Sequence, residues 1–138
     1  MDRITPERRS ANMARIRGKD TKPEMVVRRL LHSMGYRYRL HRKDLPGKPD
    51  VVFASRKAVI FIHGCFWHQH PSPTCRKSIL PTTRRDFWEA KLKRNVERDA
   101  QHILHLEEMG YRVLVVWECE LAYLQELRQR LVWFLNKI

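Results

Sequence analysis

Two runs of apolar residues constrain this chain more than anything else in it: AVIFI at 58–62 and YRVLVVWE at 111–118. Both are short and rich in β-branched and aromatic residues, so both read as buried strands, and AVIFI is apolar enough to be central in a sheet. The elements around them follow from caps and periodicity. TPERRSANMARI begins a short helix, with Thr5 as N-cap and Pro6 at the first helical position. A second helix runs from Lys22 to Met34, opened by the capping-box pattern TKPE and stopped at Gly35. YRYRLH alternates at strand period, and LPGKPD turns the chain so that Pro49 and Asp50 head the strand VVFA. SRK turns into AVIFI. A long helix spans Arg84 to Met109, ended by Gly110, and LAYLQELRQRLVWFLNKI is an amphipathic helix. The order α, α, β, β, β, loop, α, β, α predicts an α/β fold with a mixed central sheet flanked by helices.

At 138 residues, 43% of them hydrophobic, the chain fits one domain over 1–138 with a real core. No stretch approaches the apolar length of a membrane span, and MDRITPERRS lacks a signal-peptide core, so a cytoplasmic protein is expected. The 28 basic against 15 acidic residues, net +13, are spread along the chain. That balance favours a polyanion, nucleic acid ahead of acidic proteins or membrane surfaces. Three cysteines, an odd number, argue against a disulfide framework and leave metal ligation or simple burial.

HGCFWHQHPSPTC, residues 63–75, concentrates the chemistry. Cys65, His70 and Cys75 are separated by four residues each, and Cys119 follows the last strand. Together they make a Cys3His set for one structural zinc ion, with no position left for a catalytic water. The alternative leaves Cys119 as a small buried apolar residue and His70 exposed. Between His63 and His68 lie Phe66 and Trp67. Exposed and rigidly held, such a pair suits stacking on bases or wedging between them; otherwise one of the two covers the zinc site. Trp88 is a third candidate, with a core position as the alternative.

The acidic residues separate binding from chemistry. Asp50 at a strand head is placed to hold a divalent ion at a sheet edge, or simply caps its turn. Asn95, Asp99 and His102 share one face of the long helix. Glu24 sits third after Thr21, where a capping role is the plain alternative. Carboxylates with histidines in a basic protein are equipment for magnesium-assisted phosphodiester hydrolysis.

LPGKPDVVF, AVIFIHGCFWHQH, RRDFWEAKLKRNVERD and GYRVLVVWECEL, in that order, resemble the very short patch repair (Vsr) DNA mismatch endonuclease family over most of the chain. The resemblance implies a fold similar to type II restriction endonucleases, a monomer, and nicking of one strand of double-stranded DNA 5′ to the thymine of a T:G mispair left by deamination of 5-methylcytosine. It implies Mg2+, two ions, held by Asp50 and the backbone carbonyl of Ile62. His68 matches the residue that takes the proton from the attacking water, with His63, Asp99 and Glu24 in support. Cys65, His70, Cys75 and Cys119 match the ligands of one Zn2+, and Phe66, Trp67 and Trp88 match aromatics that enter the helix beside the mismatch. Mismatch-repair and polymerase proteins are candidate further partners. This sequence departs from the pattern in carrying Ile62 where a threonine is usual and in a longer gap from His70 to Cys75. Two other classes remain: a related nicking endonuclease with a different DNA target, and a zinc-stapled DNA-binding module without cleavage.

Overall fold

The computed structural model describes residues 21–136. The helix expected around Thr5 and Pro6 lies outside the described residues. Helix α1 (Lys22–Ser33) is followed by strands β1 (Arg39–Leu40), β2 (Val51–Phe53) and β3 (Ala58–His63), helix α2 (Arg85–Glu108), strand β4 (Arg112–Trp117) and helix α3 (Leu124–Asn136). The sheet order is β1-β2-β3-β4. β1 with β2 and β2 with β3 are antiparallel, whereas β3 and β4 run parallel, with Ala58 opposite Arg112 and His63 opposite Trp117. A parallel neighbour requires a crossover, and α2 supplies it. The mixed sheet flanked by helices is the fold class the sequence predicts.

Strand alternation sorts the core into two layers. Ala58 and Ile60 of β3 and Val51 and Phe53 of β2 meet Val27 and Leu31 of α1 and Leu127, Leu131, Phe134 and Leu135 of α3. Val59 and Phe61, with Val52, face the opposite way onto Leu45 and Leu106 of α2. The central strand β3 is therefore buried on both sides, which is why its sequence shows no polar alternation. The same alternation puts His63 on the α2 side.

Several elements are shorter than their sequences suggest. YRYRLH contributes only Arg39 and Leu40 to the sheet, because His41 adopts a left-handed backbone (φ 47°) and leaves the strand direction. Tyr36 and Tyr38 instead pack edge-on against Phe53. Ala54 leaves β2 for a 3-10 turn, and Glu118–Ala122 form another, so β4 stops at Trp117 and α3 starts at Leu124. In the LPGKPD turn, Gly47 has φ +74°, and a Cβ there would stand 3.0 Å from His102 of α2. Only glycine satisfies both demands, and the turn is thereby seated on α2 directly ahead of Asp50.

Candidate active site

The site is assembled where the head of β2, the end of β3, the start of α1 and the middle of α2 converge on one cleft of about 950 Å³. On α1, Thr21 is the N-cap, and its hydroxyl accepts the Glu24 N–H at 3.4 Å. The capping residue thus uses the backbone of Glu24, while the Glu24 carboxylate goes elsewhere. It is buried, 2.7 Å from His41 Nε2 and 3.3 Å from Arg28 Nη1. Asp50 accepts the Ile62 N–H at 2.7 Å. A strand residue directs its N–H and C=O to the same side, so the Ile62 carbonyl lies on the Asp50 side of β3.

Burial pushes the Asp50 carboxyl up to about 6, the Ile62 N–H opposes that rise, and the nearby Glu24 charge adds to it. One ligand atom from each of Glu24, His41 and Asp50 lies within 4.8 Å of the others. Two carboxylates, one of them carrying its charge at a cost, are hard oxygen donors of the kind that Mg2+ takes, so these residues fit a divalent ion.

Beside this cluster, His63 at the end of β3 and His68 in the following loop stack face to face, with ring centres 3.9 Å apart and planes within 6°. Burial first, then the charge of His68, pushes His63 down to about 3, so His63 is a neutral imidazole at physiological pH. His68 Nδ1 lies 2.6 Å from Asp99 Oδ2 on α2. With the Nδ1–H donated to that carboxylate, Nε2 carries the lone pair and can accept a proton.

Cys65, His70, Cys75 and Cys119 converge as a third cluster, with one ligand atom from each within 4.8 Å of the others. His70 Nδ1 is 3.8 Å from Cys65 Sγ and 3.4 Å from Cys119 Sγ. Tetrahedral zinc, with Zn–S about 2.3 Å and Zn–N about 2.0 Å, separates its ligand atoms by roughly 3.5–3.8 Å, which these spacings match. Burial pushes the Cys65 thiol up to about 12, and a thiol so raised loses its proton at neutral pH only beside a strong cation. The His70 ring stacks on Trp117 at the end of β4, ring centres 4.4 Å apart. The loop is thereby tied to the sheet.

Phe66, Trp67 and Trp88 form one half-buried aromatic group, with ring centres 5.2 to 5.9 Å apart. Exposed Phe87 extends it against Trp88. Asn95 Nδ2 donates to the Trp67 carbonyl at 3.1 Å, one helical turn before Asp99 meets His68. Successive turns of α2 therefore hold successive loop residues, and Asn95, Asp99 and His102 all use the shared face expected of them.

Every site residue singled out in the sequence falls into one of these groups. Three contributors were not singled out. His41 is 17 residues from its partner Glu24. Glu118 accepts the Cys65 N–H at 3.2 Å, and Phe87 packs edge-on against Trp88. For His41 the only available signal was a histidine ending a strand before the LPGKPD turn.

The family model for DNA mismatch endonuclease Vsr matches residues 1–75. A type II nicking enzyme, V.XorIIP, of Xanthomonas oryzae pv. oryzae is 54% identical over 94% of this chain and 93% of its own length. A second, V.NmeAIP of Neisseria meningitidis, is 45% identical over 94% of this chain and 91% of its own. DNA mismatch endonuclease Vsr of Escherichia coli K12 is 46% identical over 82% of this chain and 70% of its own. Among solved structures, the homing endonuclease I-Bth0305I catalytic domain superposes with a TM-score of 0.58 at 22% identity, covering 83% of this chain and 94% of that domain, a likeness of fold.

Fold, cleft and relatives together define an endodeoxyribonuclease. The chain belongs to the DNA mismatch endonuclease Vsr family. Among the described residues, no helix is long and apolar enough to cross a membrane.

Proposed function

We propose that this protein, acting as a monomer, nicks one strand of duplex DNA 5′ to the thymine of a T:G mispair arising from 5-methylcytosine deamination, with Mg2+ as catalytic ion. The observation that carries the reading is the meeting, in one cleft, of a carboxylate cluster at Asp50 and Glu24 with the His68–Asp99 pair, beside an aromatic group. Asp50 and the Ile62 carbonyl would hold the ion, probed best as two sites. Because the backbone supplies that second ligand, isoleucine serves as well as threonine. Bound there, magnesium supplies charge stabilisation to the phosphate oxygens.

The chain's own groups then divide the work. His68 accepts the proton of the attacking water at Nε2, and Asp99 holds its ring and tautomer through Nδ1. His63, neutral and stacked on His68, fixes the ring plane. Phe66, Trp67 and Trp88 enter the stack beside the mispair. Unstacking costs on the order of a few kcal/mol per step, and a wobble pair lowers that cost relative to a matched pair. Cys65, His70, Cys75 and Cys119 would hold one zinc ion, whose closed coordination would staple the loop so that wedge and base stay together. Basic residues on the cleft, among them Lys91 and Arg98, supply affinity for the phosphate backbone.

Single-turnover nicking tests the reading. A labelled duplex with T:G in a cytosine-methylation context is compared with its T:A and C:G versions. Magnesium-dependent cutting of one strand, 5′ to the mispaired thymine, is expected on the first alone. Equal cutting of the matched duplexes would move the target to another site, and no cutting with any divalent ion would leave a binding module.

A further inference from the structure

We propose that His41 is a positioning residue that assembles the divalent-ion site, by holding the Glu24 carboxylate against Asp50. The inference rests on the reading of Asp50 and Glu24 as the residues that receive the catalytic ion. His41 touches both of them. Its backbone N–H donates to the Asp50 carbonyl at 3.2 Å, and its Nε2 stands 2.7 Å from Glu24 Oε2. The N–H contact continues the β1–β2 register, in which Leu40 stands opposite Val51, and the backbone then turns left-handed at His41, φ 47°, a conformation uncommon for a non-glycine residue and sustained where the surroundings demand it. That turn ends β1 after two residues and leaves the ring only 17% exposed.

A competing pull makes the contact consequential. Arg28, one turn further along α1, approaches the same Oε2 at 3.3 Å. An i,i+4 pair of this kind draws a glutamate along its own helix. His41 approaches from the β1–β2 side, where Asp50 stands, and so opposes that pull. Groups that bond to a ligand without being the principal donor fix its orientation, and losing one typically weakens metal affinity about 10–100-fold.

The test is Mn2+ binding to the full chain, followed by electron paramagnetic resonance, for the wild type, His41→Ala, His41→Gln and Asp50→Ala, with melting temperature in chelator recorded for each. Glutamine keeps an N–H donor at similar reach. The expected result is an affinity about tenfold weaker or worse in His41→Ala. Most of it should return in His41→Gln, with the melting temperatures of the two His41 variants close together in chelator. Wild-type affinity in His41→Ala, with binding lost in Asp50→Ala, would overturn the role of His41 and leave the metal site standing. An affinity loss that glutamine does not restore and that tracks a lower melting temperature would reduce His41 to a structural contact. Absence of Mn2+ binding in the wild type, or its persistence in Asp50→Ala, would defeat the metal-site reading and this inference with it.

Discussion

His68 Nδ1 and Asp99 Oδ2 are 2.6 Å apart, joining the loop after β3 to the middle of α2 across 31 residues of sequence. The contact decides which nitrogen of His68 carries the proton. Asp99→Asn offers an N–H in place of a carboxylate oxygen, so Nδ1 becomes the acceptor and the proton moves to Nε2, where it blocks base catalysis. Asp99→Asn and His68→Ala are each expected to lower the single-turnover nicking rate by about 10²–10⁴-fold with mismatch binding retained. Gel-shift affinity measured beside the rate separates the two effects, and an unimpaired rate in His68→Ala would remove it as the base.

Asp50 carries a stability cost that comes from its burial. Its folded pKa is raised from 3.8 to about 6, chiefly by burial. A raised folded value favours folding below the unfolded pKa and loses that advantage as pH climbs through the folded one. The gap from 3.8 to about 6 is on the order of 3 kcal/mol. In chelator, Asp50→Asn should therefore be more stable than the wild type above pH 6, by up to that order. The difference should shrink as pH falls and vanish below about 3.8. Denaturant melts across that range check it, and nicking should be lost throughout. A variant less stable than wild type at pH 7 would show that Asp50 is not strained by burial.

Cys119 ties the loop of residues 63–75 to the end of β4. Cys119→Ser is expected to lower zinc content and melting temperature together, and strong chelators should do the same to the wild type. Elemental analysis at full zinc stoichiometry in the variant would take Cys119 out of the ligand set.

Trp67 packs on Phe66 and Trp88 and is held through its carbonyl by Asn95. Trp67→Ala should reduce the preference for T:G over matched duplex more than it reduces salt-dependent nonspecific binding. Salt titrations on both duplexes supply the comparison, and equal losses on both would argue against a wedge.

The fates of Glu24 and His41 show how far local sequence reaches. Thr21 and Glu24 advertise a helix start correctly, yet the capping contact uses the Glu24 N–H, and its side chain turns to a histidine 17 residues away. No local pattern reports such a pairing, because it depends on where β1 stops. The alternating YRYRLH suggested a six-residue strand, whereas only two residues pair with β2. Edge strands have one neighbour, so turn conformation and aromatic packing can shorten them without breaking the sheet.

Local sequence alone sets the central strand, the long crossover helix and the residue types of the two clusters in the 63–75 loop. Those features rest on hydrophobic periodicity and on ligands close together in the chain, both encoded locally. Tertiary structure alone decided that β3 and β4 run parallel, and with that register that Trp117 and Cys119 arrive beside His70. It also decided that Asp99 meets His68 and that His41 joins Glu24 to Asp50. Each of these contacts spans tens of residues or crosses between elements, and it exists only because the burial of both sheet faces fixes how the helices lie on the strands.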